Sequence, residues 1–313
     1  MNVIAMKPET ERQRALDQTR IVDSLPEPVY QDLVCLAAAI CDTSIALISL
    51  VDRDRQWFKA KLGIDEREMP RSMAVCDHAI RKPAELFEVR DLASDPRFSE
   101  FPYVRDGRAR FYAGVPLLTE QGAAIGTVCV LDQAPRTLDE QQRNALRSLS
   151  RVTSALIEAH RGKHVAEVKT LLQPQAKAPG PERAPQSLTI AVIRIQGYAE
   201  LVARLGERAT EKLLQALDQV LDQGLRHDLG DHIDRITGTP EYVAILRGDE
   251  VATRLNALRA ALDRHQSSTS AAWAMGVAHA REPVEPMPAI YLRADEELSR
   301  QLDQAAGRMT AAA

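Results

Sequence analysis

The stretch that decides the fold of the second half of this chain is Arg235–Leu246, which reads Arg-Ile-Thr-Gly-Thr-Pro-Glu-Tyr-Val-Ala-Ile-Leu. Residues 238–240 have the composition of a tight turn, and residues 242–246 are mostly strand formers. Breaks containing Gly and Asp flank the stretch at 230–232 and 247–249. The sequence therefore predicts a β-hairpin. Taken alone, such a hairpin needs no role beyond folding.

Hydrophobic patterning on both sides of the hairpin predicts further strands and helices. The predicted elements are a strand at 187–195, helices at 198–205, 210–224 and 251–265, a strand at 271–279 and a closing helix at 288–308. The order along the chain is strand, two helices, hairpin, helix, strand and helix. This pattern predicts one α/β domain over 187–310.

This order, together with its hairpin, resembles the GGDEF domains of the diguanylate cyclase family. The hairpin of that family carries Gly-Gly-Asp/Glu-Glu-Phe, and the aligned residues here are Gly238-Thr239-Pro240-Glu241-Tyr242. The resemblance implies a mixed sheet with flanking helices. Where the catalytic residues of the family are kept, it also implies synthesis of cyclic di-GMP from two GTP.

The residues at the aligned catalytic positions predict that this chemistry is lost. Catalysis by magnesium needs carboxylates around the ion, but the metal-binding Asp of the family's first strand aligns with Arg194. A guanine-binding side chain aligns with Val202, which cannot form a side-chain hydrogen bond. Thr239 is branched where glycine lets a nucleotide approach, and Pro240 has neither a carboxylate nor an N–H. Only Glu241 is kept as a possible ligand.

The resemblance thus implies a degenerate cyclase site with no catalytic residue, no metal and no cofactor. Its members are Arg194, Val202, Gly238, Thr239, Pro240 and Glu241. The domain would then act by binding a protein partner, or a nucleotide in a remodelled cleft; an active diguanylate cyclase is the alternative. Glu211 replaces a guanine-contacting Asp. The family's inhibitory product site needs Arg-x-x-Asp before the hairpin, but Asp228 stands where the Arg before Asp231 should be.

The first half of the chain carries motifs of a different kind. Residues 43–51 form a continuous apolar and β-branched run, and residues 56–62 alternate as a return strand would. Further motifs are Cys76-Asp77-His78-Ala79-Ile80, the strand at 111–117 and the strand at 125–132. Together they resemble a GAF domain over 11–160. The resemblance implies an antiparallel sheet with helices on both faces, in a sensor domain of signalling proteins.

The resemblance also implies a pocket for an unknown small molecule beneath the helix that carries Cys76. The candidate lining residues are Trp57, Cys76, Asp77, His78 and Tyr112. Ordinary core packing explains the same residues equally well, since Cys is a small buried residue in most proteins. A bilin would need a Cys-His pair that is absent here. A GAF-type methionine sulfoxide reductase would need cysteines near Cys76, which has no close partner in the sequence.

A long helix is predicted after the first domain. Its apolar residues at heptad spacing are Ala145, Leu149, Val152, Leu156 and Ala159. This seam either packs on the sheet of its own domain or also pairs with a second copy, which makes a homodimer the expected assembly. Residues 161–186 are expected to be the helix end and a linker, because 173–186 contains four prolines.

Composition limits the remaining possibilities. The 313 residues suggest two domains, and the net charge of −4 gives no electrostatic footprint for nucleic acid. The charged N-terminus is unlike a signal peptide, and we find no apolar run of membrane-spanning length. A cytoplasmic protein without a membrane or nucleic-acid partner is therefore expected. The four scattered cysteines predict neither a disulfide framework nor a zinc site.

Overall fold

A computed structural model describes residues 7–173, 187–237, 239–282 and 285–312 of the chain. The chain divides into two compact units, and the main boundary falls after Gly162. Residues 163–172 therefore belong to the second unit, within the range 161–186 that was expected to contain the helix end and a linker. The proline-rich stretch 174–186 lies outside the described residues, so its predicted linker role stays a prediction.

The first unit is built on a six-stranded sheet flanked by helices. Its elements are α1 (Glu9–Thr19), α2 (Pro28–Cys41), β1 (Ile45–Val51), β2 (Arg55–Leu62), β3 (Glu68–Pro70), α3 (Val75–Ala79), β4 (Phe87–Val89), α4 (Pro102–Arg105), β5 (Phe111–Leu118), β6 (Ala124–Asp132) and α5 (Glu140–Leu171). The strand order is β3-β2-β1-β6-β5-β4. Neighbouring strands in this sheet are antiparallel. The predicted antiparallel sheet with helices on both faces is confirmed.

Each face of this sheet has its own hydrophobic core, because side chains alternate along the strands. Ile48 and Leu50 of β1 belong to the core that α2 and α5 cover. Leu47 and Val51 belong to the core that α3 covers. Strand β1, which is apolar apart from Ser49, is thus buried on both faces, which explains why its sequence shows no polar alternation.

Helix α5 packs on the first core with a stripe that lies one residue away from the predicted seam. Leu146 and Ile157 are buried, whereas Val152 is 48% exposed. Leu149 is the seam residue that is buried. The stripe that packs on the sheet has the predicted heptad spacing in a different phase, and pairing of the predicted seam with a second copy stays a prediction.

The second unit is a four-stranded sheet with helices. Its elements are β7 (Leu188–Ile195), α6 (Tyr198–Leu205), α7 (Glu207–Asp222), β8 (His232–Arg235), β9 (Glu241–Arg247), α8 (Val251–Thr269), β10 (Trp273–His279) and α9 (Met287–Ala312). The predicted hairpin is confirmed as β8 and β9. The remaining predicted strands and helices are present within a few residues.

The strand order of this sheet is β10-β7-β9-β8, and neighbouring strands are antiparallel throughout. The predicted mixed sheet was therefore wrong in its strand directions. Each helical crossover skips one strand position: α6 and α7 carry the chain from β7 to β8, and α8 carries it from β9 to β10. A strand of opposite direction fills each gap, as in split β-α-β folds.

Helix α9 packs closely against β10. A Cβ atom on Gly276 would collide with the backbone carbonyl of Ala294 and the backbone amide of Leu298. The glycine in the motif Met275-Gly276-Val277 therefore lets a helix approach the strand at backbone distance. Among the described residues, we find no helix with both the length and the apolar character needed to cross a bilayer.

Candidate functional site

The candidate site of the second unit lies where β7 ends and β9 begins. These two strands are neighbours, and their register places Arg194 directly opposite Glu241. Both Nε and Nη2 of Arg194 donate hydrogen bonds to Oε2 of Glu241 at 3.3 Å. Glu241 is 2% exposed, so its carboxylate is balanced by a guanidinium rather than by water. The acidic residue that the sequence analysis kept as a possible ligand is thus engaged by Arg194.

A histidine that sequence reasoning missed completes this cluster. His164 lies on α5, and its Nε2 is 3.2 Å from Oε1 of Glu241. The imidazole is 7% exposed, and its Nδ1 has no hydrogen-bond partner among the described residues. The sequence feature that could have indicated the burial of His164 is its helical spacing along α5. His164 follows the buried Ile157 by seven residues and precedes the buried Val168 by four.

The turn before Glu241 uses its polar groups internally. The hydroxyl of Thr239 donates to the carbonyl of Ile236 at 2.9 Å and accepts from the amide of Glu241 at 3.3 Å. The carbonyl of Pro240 accepts from the amide of Ile195 at 3.1 Å. Gly238 lies outside the described residues. The described part of the turn is therefore held by its own hydrogen bonds and by β7.

The positions that would contact a guanine base also carry other interactions. Glu211 on α7 accepts a 2.6 Å hydrogen bond from Arg235, and this bond lowers the pKa of Glu211. Arg235 also lies 3.3 Å from Asp218. Val202 on α6 is half-buried and presents no side-chain donor or acceptor. Glu211 is thus paired with Arg235, and Val202 has no polar side-chain atom that could bind a base.

Asp231 serves the core rather than a product site. Its side chain is fully buried and lies 2.7 Å from Nη1 of Arg254. It also accepts hydrogen bonds from the backbone amides of Arg226 and Arg247. A buried carboxylate that is satisfied in this way holds the start of the hairpin, and it is not available to a ligand.

In the first unit, the structure brings together two of the five candidate pocket residues. The hydroxyl of Tyr112 on β5 donates to Sγ of Cys76 on α3 at 3.3 Å. Gly114 leaves room for that hydroxyl, since a Cβ there would collide with it. Both side chains are buried in the core under α3. These two candidates therefore contact each other within that core, and a ligand pocket there stays a prediction.

The other three candidates lie elsewhere. Trp57 belongs to the core on the opposite face of the sheet, because it alternates with Phe58 along β2. The expectation that it lines a pocket with Cys76 was wrong. His78 packs edge-to-face on Phe98, with ring centroids 4.8 Å apart.

Asp77 is held by arginines instead of facing a pocket. Burial opposes its ionisation, but hydrogen bonds from Arg81 and Arg71 outweigh that effect and lower the pKa of the carboxyl. Arg71 also donates to Glu9 at 2.6 Å, so this ion-pair network joins α3 to α1. Asp77 thus has a structural role in this network, and its role in ligand binding stays a prediction.

Sequence reasoning also missed Cys129. Its Sγ on β6 lies 3.8 Å from Sγ of Cys76, although 53 residues separate them in the chain. Thr127, two residues before Cys129, donates its hydroxyl to Cys76 at 3.2 Å. Cys76 thus has no cysteine close to it in the sequence, but it has one close to it in the folded domain.

Comparison with known proteins agrees with the architecture of the first unit. Residues 26–157 match the GAF domain family, and the first unit is a GAF domain. The chain is 38% identical over 164 residues to the cyclic di-GMP phosphodiesterase PA2567 of Pseudomonas aeruginosa, a match that covers 52% of this chain. The chain spans 28% of the length of that relative.

Solved structures show more distant likeness. The GAF domain of an Acinetobacter phosphoenolpyruvate-protein phosphotransferase is 16% identical, with a TM-score of 0.37, covering 50% of this chain and 98% of its own. The free methionine-R-sulfoxide reductase of Neisseria meningitidis is 17% identical, with a TM-score of 0.37, covering 52% and 99%. An EAL/GGDEF domain protein of M. capsulatus is 17% identical, with a TM-score of 0.35, covering 43% and 86%.

Proposed function

We propose that this chain is a regulatory protein of cyclic di-GMP-type signalling. Its GAF domain senses a small molecule or mediates dimerisation, and its second unit is a GGDEF-like binding module without cyclase activity. The observation that carries the proposal is the ion pair of Arg194 and Glu241 at the ends of β7 and β9. The similarity to a cyclic di-GMP phosphodiesterase supports the same kind of signalling.

Charge explains why this pair opposes catalysis. A magnesium ion needs carboxylate oxygens, and the described side chains at this place offer one carboxylate that already has two basic neighbours. Two unit charges 4 Å apart interact by about 4 kcal/mol near a protein surface, and a divalent ion doubles the repulsion from Arg194. Binding Mg²⁺ would require Glu241 to leave Arg194 while the guanidinium stays nearby.

The two residues that align with guanine-binding positions support the same conclusion. Glu211 is neutralised by Arg235, and Val202 supplies no hydrogen bond. A site that recognises guanine needs convergent polar groups, because the edge of the base must be matched donor for acceptor. The second unit therefore acts through binding, with a protein partner or a nucleotide in a remodelled cleft as its ligand.

The dimerisation proposed for the GAF domain rests on an apolar surface along α2 and α5. Val29, Leu36 and Ile40 of α2 are 40%, 50% and 43% exposed, and Val152 of α5 is 48% exposed. The two helices are neighbours, since the side chain of Gln142 donates to the carbonyl of Ile40 at 3.2 Å. Exposed apolar patches of this kind mark interaction sites, and a second copy with the same stripe would cover it.

The test is incubation of the full chain with GTP and Mg²⁺, followed by nucleotide chromatography. The proposal predicts no cyclic di-GMP above the level found with a Glu241→Gln variant, which serves as the matched control. Turnover to cyclic di-GMP that the Glu241→Gln substitution abolishes would contradict the proposal and identify an active diguanylate cyclase.

A further inference from the structure

Two buried thiols meet beneath α3 of the GAF domain. Sγ of Cys76 and Sγ of Cys129 are 3.8 Å apart, and the residues are 2% and 0% exposed. A disulfide needs the sulfurs to approach to about 2.05 Å. Rotation of the side chains and a small shift of a short helix can supply that approach.

The surroundings of the two sulfurs are unequal. Cys76 accepts hydrogen bonds from the hydroxyls of Tyr112 and Thr127, at 3.3 and 3.2 Å. Burial raises the pKa of the Cys76 thiol, but the hydrogen bonds outweigh it and lower the pKa to about 7. For Cys129, burial and the neighbouring Cys76 sulfur raise the pKa well above its ordinary value. The hydrogen bonds thus favour the thiolate form of Cys76, whereas burial keeps Cys129 a thiol beside it.

We propose that Cys76 and Cys129 are an oxidisable dithiol, which closes to an intrachain disulfide when the GAF domain meets a hydroperoxide. The Cys76 thiolate attacks one oxygen of hydrogen peroxide, the O–O bond breaks, and a sulfenic acid and hydroxide form. Cys129 then attacks the Cys76 sulfur, the S–O bond breaks, and the sulfenic oxygen leaves as water with the proton of the thiol. Two thiols and one peroxide become one disulfide and two waters.

The contacts of α3 indicate which parts of the domain the disulfide would affect. Closing the bond draws α3 towards β6 and removes the sulfur acceptor of Tyr112 and Thr127. The next residue along α3 is Asp77, which Arg71 connects to Glu9 of α1. Oxidation would therefore act on the network that holds α1 to the domain, which gives the sensor a redox input besides any small molecule.

The experiment uses the full chain with Cys35→Ser, because Cys35 is exposed and would form disulfides between chains. The folded protein is treated with hydrogen peroxide, the excess is removed, and the chain is denatured and alkylated. The remaining three cysteines take three alkyl groups before treatment. After treatment we expect one alkyl group, a peptide cross-link between Cys76 and Cys129, and recovery of three alkyl groups with dithiothreitol.

Two further variants sharpen the result. Cys41 lies in the other core, where burial raises its pKa to about 11, and Cys41→Ser should leave the cross-link unchanged. Cys129→Ser should stop the reaction at a Cys76 sulfenic acid, which a cyclic 1,3-dione traps. The proposal is overturned if the peroxide-treated Cys35→Ser chain keeps three alkylatable thiols, if the cross-link joins Cys41, or if Cys76 goes to a sulfinic acid without a cross-link. The Cys35→Ser measurement stands by itself if Cys129→Ser does not fold.

Discussion

Arg254→Met should strongly destabilise the second unit, because it leaves a buried carboxylate without its counter-ion. The side chain of Asp231 is fully buried, that of Arg254 is 6% exposed, and they lie 2.7 Å apart. Arg254 also donates to the carbonyls of Arg247 and Asp249. The substitution therefore leaves these two carbonyls, on the loop that enters α8, without their hydrogen-bond donor. The substitution keeps the apolar stem of the side chain, so the loss reports mainly on charge.

The magnitude follows from the burial of this pair. Removing one partner of a buried ion pair costs about 3–5 kcal/mol, a large part of the roughly 5–15 kcal/mol that holds a domain folded. With a urea slope of about 2 kcal/mol per molar, the midpoint should fall by about 2 M. The double variant Asp231→Asn with Arg254→Met should be more stable than Arg254→Met alone, because the amide carries no charge.

Urea unfolding of the full chain in a Trp57→Phe background isolates the second unit. Trp273 lies at the start of β10 and then supplies the tryptophan fluorescence, while circular dichroism follows both units. The reasoning is refuted if Arg254→Met costs less than about 1 kcal/mol. It is refuted equally if the double variant is no more stable than Arg254→Met.

Three other predictions concern packing, pH and assembly. Gly276→Ala should cost several kcal/mol in urea unfolding because its Cβ collides with the backbone of α9, whereas Gly162→Ala, with open space in a helix, should stabilise by about 0.5–1 kcal/mol. Equal effects of the two would contradict the packing. Burial opposes the ionisation of Glu9, but hydrogen bonds from two arginines lower its pKa to about 2. Its stabilising effect is therefore complete above the unfolded pKa of about 4.3 and is lost as the pH falls towards 2. Because Glu9 is half exposed, Glu9→Gln should cost about 1 kcal/mol at pH 7 and less at pH 3; a deficit that is constant with pH would refute this. Leu36→Glu and Val152→Glu should each weaken a dimer by at least tenfold in sedimentation equilibrium, and an unchanged dimer would exclude the α2 and α5 surface.

Local chemistry explains what the sequence predicted well. The hairpin was predicted from its turn residues, and β8 and β9 formed on either side of that turn. The helices and strands followed from apolar periodicity, which depends on neighbours within a few residues. The alignment of Arg194 with a metal-binding position also required no knowledge of distant contacts, and it stays a prediction.

Contacts between distant parts of the chain explain what the sequence did not predict. Cys129 meets Cys76 only because its side chain, on β6, lies on the face of the sheet that α3 covers. His164 reaches Glu241 because the end of α5 belongs to the second unit. The antiparallel order of the second sheet depends on which strand fills the gap that each crossover leaves. Periodicity along one segment carries no information about any of these long-range pairings.

The central claim is that Arg194 occupies the place of a catalytic metal beside Glu241. Titration of the full chain with Mn²⁺ in the presence of GTP, followed by electron paramagnetic resonance, tests it most directly. The account predicts that Glu241→Gln leaves the amount of protein-bound Mn²⁺ unchanged. A stoichiometric Mn²⁺ site that appears with GTP and disappears in Glu241→Gln would contradict it.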